Sequence, residues 1–129
     1  METKEDIENL EKLIGQLQGL HSEISQLAKK SPNDGLNVFK LKLVNKVLQS
    51  GNEVLAGRYI PFDDFRQFEE SDLPTNSDVT MILAQYMEQS ERFRSDHIVW
   101  HQQKWQYIIN GAPSNIQGKA PTKVGGDKK

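Results

Sequence analysis

Apolar side chains in the first thirty residues recur at the three- and four-residue spacing of one face of an α-helix. One column comprises Ile7, Leu10, Ile14, Leu17, His21, Ile24 and Ala28, and a second comprises Leu13, Leu20 and Leu27. The second column widens the apolar stripe to about 140°, which is broader than the seam of a two-stranded coiled coil. The pattern therefore predicts a helix over about 5–30 that packs in a bundle of three or four helices.

A second apolar stripe follows the sequence Ser-Pro-Asn-Asp-Gly at 31–35, where proline and glycine favour a turn. The stripe predicts a helix over about 36–56 and leaves only about 120° of its circumference polar. A helix with so narrow a polar face needs neighbours on two sides, so we expect it in the middle of the bundle. In the acidic connection 58–74, Phe62, Phe65 and Phe68 recur every three residues and predict a short helical turn.

The third predicted helix has the clearest start signal, a T-x-x-D capping box formed by Thr75 and Asp78. Its apolar stripe begins as Val79, Ile82, Leu83, Tyr86 and Phe93, and the same line continues as His97, Trp100, His101, Lys104 and Ile108. The spacing predicts one helix over 77–109 whose core-facing side becomes polar halfway along. That helix would be about 50 Å long, against about 32 Å for the second, so roughly a third of it would project.

Residues 110–129 are rich in glycine and proline and contain four lysines, namely Lys119, Lys123, Lys128 and Lys129. Few large apolar side chains remain there to offset the entropy lost on ordering, so we expect a disordered, flexible basic tail. The predicted fold class is therefore all-α, a small helical bundle of three long helices with a short helical turn in the connection. The predicted domain organisation is a helical bundle over 1–109 followed by the tail.

Composition narrows the classes of function. A chain of 129 residues suits a single domain. Its net charge is −2, and the predicted body has no basic face. We therefore expect nucleic-acid binding only through an assembly. The chain contains no cysteine, which excludes disulfides and thiolate chemistry and suits a reducing compartment, so we expect a cytoplasmic location. The sequence contains no run of 18 apolar residues, so it predicts no membrane span.

His97 and His101 are the best candidates for chemistry, because the i, i+4 spacing on a helix lets two imidazoles share a metal ion. A third ligand would have to come from another helix, for example His21. The chain also has no glycine-rich phosphate loop and no Gly-x-Ser-x-Gly motif. We therefore expect no catalytic residue, no metal site and no cofactor, and interpret the two histidines as polar seam positions or exposed residues.

Aromatic and aliphatic residues concentrate at the projecting end of the third predicted helix, which indicates a contact surface unless the first helix folds back over it. The predicted partner-binding residues are His97, Trp100, His101, Trp105, Tyr107 and Ile108. The sequence predicts a non-enzymatic protein–protein interaction or assembly module, a homo-oligomer that associates through its helical seams and this aromatic end. The alternatives are an accessory subunit of a nucleic-acid-acting complex and, less favoured, a small histidine-based metal-binding protein.

Overall fold

Three helices are followed by a three-stranded antiparallel sheet in the computed structural model, which describes residues 1–122. The helices are α1 (Lys4–Lys30), α2 (Val38–Leu55) and α3 (Asn76–Asp96), and the strands are β1 (Ile98–His101), β2 (Lys104–Ile109) and β3 (Ala112–Gln117). The strands pair in the order β1-β2-β3, so that each hairpin joins neighbours in sequence. None of the helices in these residues is long and apolar enough to cross a membrane.

The predicted all-α bundle is wrong, because the third helix ends at Asp96 rather than near residue 109. His97 leaves the helical conformation with φ −115° and ψ 24°, and its backbone N–H donates to the carbonyl of Arg94. The residues that follow pair as β1 and β2, with Trp100 opposite Trp105. β-Branched and aromatic residues favour strands, and here that preference prevails over the helical spacing of the same stretch.

The predicted disordered tail is wrong for 112–117, which form β3 and pair antiparallel with β2. Asn110 and Gly111 make the two-residue turn between these strands, with φ of 52° and 79°. Both values lie in the left-handed region that Asn and Gly tolerate best, as a type I′ hairpin turn requires. Three lysines of the predicted tail lie outside the described residues, namely Lys123, Lys128 and Lys129.

The connection between α2 and α3 lies along α2 and contains two short 3₁₀ helices, Gly57–Tyr59 and Glu70–Asp72. The connection therefore contains short helical turns, as predicted, but they flank the phenylalanine-rich part, which is itself irregular. Asn45 fixes this part to α2, because its side-chain amide donates to the carbonyl of Phe68 and accepts from the N–H of the same residue. Phe65 packs edge-on against Phe68 at a centroid distance of 5.0 Å, and both contact the core.

Two clusters of buried side chains stabilise the molecule. The larger lies among the three helices and includes Leu17, Leu48 and Tyr86. The smaller lies between the first half of α1 and the sheet, and its buried members are Ile7, Leu10, Ile98 and Tyr107. The apolar stripe of α1 is thus covered by elements of the same chain along its length, and this packing holds the β1–β2 hairpin against α1.

Candidate functional site

The six predicted partner-binding residues lie in and around the β1–β2 hairpin rather than along one face of a helix. Successive side chains of a strand point to opposite faces, and the register pairs Trp100 with Trp105 and His101 with Lys104. Trp100, Trp105 and Tyr107 therefore share the face that packs toward α1. His101 and Ile108 belong to the opposite face, so the predicted single surface is divided in two.

The two indoles form a cross-strand pair near the tip of the hairpin. Their ring centroids are 5.4 Å apart at an interplanar angle of 66°, which is the edge-to-face arrangement that aromatic rings favour. Trp105 is half-buried and packs on the smaller cluster. Trp100 is 56% exposed, so the pair presents one anchored and one exposed ring.

Tyr107 belongs to the core rather than to an exposed surface, because only 2% of it is exposed. Its hydroxyl donates to Glu11 Oε2 on α1 at 3.0 Å. Burial raises the pKa of Tyr107 to about 12, and the nearby negative charge of Glu11 adds to the effect. The first helix therefore covers Tyr107, as the alternative to an exposed contact surface expected, whereas Trp100 stays exposed.

The two histidines lie in different surroundings. His97 is half-buried and stacks on Phe93 at a centroid distance of 4.4 Å, with its Nδ1 2.7 Å from the Phe93 carbonyl. His101 is exposed at the end of β1. The helical spacing that would let them share a metal is lost, because three residues of strand already span about 10 Å. Within residues 1–122, no group of three or more His, Asp or Glu side chains could hold a metal ion.

A polar cluster ties the base of the hairpin to the connection. The Tyr59 hydroxyl donates to Asp96, the last residue of α3, and Arg58 Nη2 lies 3.3 Å from the same carboxylate. Burial raises the pKa of Tyr59, and its hydrogen bond to Asp96 adds to the effect. The carboxylate stays available to solvent, because the Asp96 side chain is 45% exposed. The base of the hairpin therefore carries an ion pair, because Arg58 lies against the Asp96 carboxylate.

A segment after β3, which we call the strap (118–122), returns across the sheet to α3. Arg94 anchors it from a position that is 3% exposed, donating to the carbonyls of Lys119 and Ala120 at 2.8 Å each. The same guanidinium donates to Glu91 Oε2 at 2.6 Å. Sequence reasoning missed this anchor, because its acceptors are backbone carbonyls 25 and 26 residues further along, which no side-chain pattern reveals.

Glu91 completes the anchor by accepting from the Thr122 hydroxyl at 2.8 Å. Burial by itself raises the pKa of Glu91, but hydrogen bonds from Arg94 and Thr122 outweigh it, so the pKa lies below its usual value near 4.5. Because the pKa of this carboxylate is lowered by folding, the interaction stabilises the fold at pH values above the usual pKa. The stabilisation is lost as the pH falls through the lower pKa of the folded state.

Comparison of the chain with protein-family models, with curated proteins and with solved structures found no match. The hairpin presents an exposed indole, an exposed imidazole and the backbone edge of a strand. These groups are suited to contact with another protein, where aromatic side chains and strand edges supply binding energy and register.

Proposed function

We propose that this protein is a non-enzymatic protein–protein interaction or assembly module whose contact element is the β1–β2 hairpin. The observation that carries the proposal is the exposed ring of Trp100, held edge-to-face against the half-buried ring of Trp105. Tryptophan is enriched among the few residues that dominate binding energy. An indole held on a paired strand also loses little rotamer freedom when a partner covers it.

The partner we propose is a second copy of the chain. The apolar stripe of α1 packs against α3 and the sheet, so the proposed self-association depends on the hairpin rather than on a helical seam. Trp100 and His101 are the exposed members of the predicted set. A cytoplasmic location remains a prediction that follows from the lack of cysteine.

Sedimentation velocity over a concentration series tests this proposal, with Trp100→Ala as the informative variant. We expect the wild type to associate and Trp100→Ala to lose about 2 kcal/mol of association free energy, or roughly 30-fold in affinity. The fold should be retained, because Trp100 is mostly exposed, and far-UV circular dichroism should change only by loss of the coupling between the two indoles. Trp105→Ala is a poorer choice, since the Trp105 ring packs on the smaller cluster and its loss would also lower stability.

Phe39→Ala is the matched control, because Phe39 is an aromatic residue of α2 that is 71% exposed and lies away from the hairpin. It should leave association unchanged. A wild-type protein that is monomeric at every concentration would overturn the proposed self-association. An effect of Phe39→Ala without an effect of Trp100→Ala would instead assign the contact to α2.

A further inference from the structure

β1 is an outer strand of the sheet, and half of its backbone groups face the open edge. The two-residue turn at Gln102 and Gln103 makes His101 and Lys104 a hydrogen-bonded pair, so the next pair, Trp100 and Trp105, is non-hydrogen-bonded. The N–H and C=O of Trp100 therefore point away from β2. Within residues 1–122 they form no backbone hydrogen bond with another element.

The opposite edge of the sheet is blocked. There, β3 carries Pro113 opposite Ile108, and the pairing shifts register between Gln106 and Ile108. Asn115 has a φ of 66°, which breaks the extended backbone. Prolines and irregularities of this kind prevent a sheet edge from pairing with another chain. The β1 sequence Ile-Val-Trp-His contains no proline, and its pairing with β2 is regular, so only this edge remains competent for pairing.

We propose that β1 pairs antiparallel with β1 of a second copy about a two-fold axis at Val99, which joins the two sheets into one of six strands. This inference rests on the proposed self-association and specifies its geometry. In this register Trp100 of each copy lies opposite Ile98 of the other and exchanges N–H···O bonds with it. A two-fold contact of this kind is closed, because each copy offers the same strand to the other.

The charges around β1 favour this antiparallel arrangement. The base of the strand has the ion pair of Asp96 with Arg58, and its tip has Lys104 and the exposed His101. Antiparallel pairing places the base of one copy beside the tip of the other, so that the two Lys104 side chains stay far apart. It also places His101 of each copy opposite His97 of the other. A parallel arrangement would instead bring the two basic tips together.

A single introduced cysteine tests the register directly, because the chain has none of its own. On the axis, Val99 would face its own copy in a non-hydrogen-bonded pair with Cα atoms about 4.5 Å apart. That separation lies within the range a disulfide spans. We expect Val99→Cys to form, under mild oxidation, a covalent dimer of twice the 14.7 kDa chain mass. Gln103→Cys is the control, because its two copies would lie about 25 Å apart.

Two substitutions at one position separate backbone pairing from side-chain burial. Trp100→Val and Trp100→Pro both remove the indole, but only proline also removes the outward N–H. Proline is tolerated on a strand edge where the N–H faces solvent, so each monomer should keep its fold. We expect Trp100→Pro to associate at least tenfold more weakly than Trp100→Val in sedimentation, and the two variants should give the same circular dichroism.

The outcomes distinguish this inference from the function on which it rests. Equal cross-linking of Val99→Cys and Gln103→Cys in a chain that still dimerises would overturn the β1 pairing and leave the proposed self-association intact. Equal association of Trp100→Pro and Trp100→Val would overturn it as well. A wild-type chain that stays monomeric would overturn both.

Discussion

Gly118 is the residue at which the strap passes over the sheet, and its missing side chain is what lets the two approach. A Cβ at this position would lie 2.8 Å from Cε2 of Tyr107 and 2.9 Å from Cδ1 of Ile98. Both neighbours are buried, so neither can move aside freely. The Gly118 N–H also donates to the Trp105 carbonyl, which fixes the backbone where it is.

Gly118→Ala is expected to lower the free energy of unfolding by about 1–3 kcal/mol, because a methyl group would be forced against the packed Tyr107 ring. Urea denaturation followed by circular dichroism measures the change. Gly15→Ala is the matched control, since a Cβ there meets no atom within 4 Å. It should instead stabilise α1 by up to about 1 kcal/mol. Equal effects of the two substitutions would contradict this account of the crossing.

Individual residues of the candidate site were only partly predictable. The sequence identified the aromatic residues, and Trp100 is indeed exposed, but Tyr107 is buried. Its burial depends on the alternation of strand faces, which a helical interpretation cannot reproduce. Arg94 was also out of reach, because its value as an anchor depends on the carbonyls of a distant segment.

The start and end signals of single elements explain which of them could be predicted. α1 and α2 lie close to the predicted 5–30 and 36–56, and α3 begins at the capping box of Thr75 and Asp78. Caps and turns act locally, so a sequence displays them. The prediction for the second half of the third helix was wrong because its side chains satisfy helical spacing as well as strand pairing. The Asn110-Gly111 pair, a strong hairpin signal, could have revealed β2 and β3.

The turn between β1 and β2 gave no such signal. Gln102 and Gln103 occupy it with φ of 52° and 66°, in the left-handed region where glutamine is disfavoured. A type I′ turn needs positive φ at both positions, and Asn-Gly is the sequence that satisfies it best. The β1–β2 hairpin is thus held in shape by its packing on α1 rather than by its turn.

Gln103→Gly should therefore raise the free energy of unfolding by about 0.5–1 kcal/mol, because glycine adopts the required φ without strain. Chemical denaturation followed by tryptophan fluorescence measures it. Gln49→Gly makes the same chemical change on the exposed side of α2. It should instead lower the free energy of unfolding by about 1 kcal/mol, because glycine is a poor helix former. If Gln103→Gly destabilised the protein as much as Gln49→Gly does, the strained-turn explanation would be wrong.

At the scale of the whole molecule, α1 unites two clusters that otherwise share few side chains. Leu13 and Leu17 belong to the cluster among the helices, and Ile7 and Leu10 belong to the cluster under the sheet. A single continuous helix of 27 residues passes through both. Loss of either cluster exposes part of α1, so we expect the helices and the sheet to unfold together.

Leu10→Ala tests this coupling, since Leu10 is fully buried under the sheet. It should lower the free energy of unfolding by about 2–5 kcal/mol. The unfolding transitions seen by circular dichroism and by tryptophan fluorescence should shift equally. Both tryptophans lie in the hairpin, so fluorescence reports on the sheet. Leu48→Ala, in the larger cluster, should also shift both transitions together. A fluorescence transition that precedes helix loss would show that the sheet unfolds by itself.

The contact between Glu11 and Tyr107 spans 96 residues of sequence, and this separation has a consequence for the growing chain. At 5–20 residues per second, roughly 5 to 20 seconds pass between the synthesis of α1 and that of the strands that cover it. A ribosome-bound chain that has completed only its three helices can bury the larger cluster. It leaves Ile7 and Leu10 open to solvent, so chaperones have their best access to this protein at the first turns of α1.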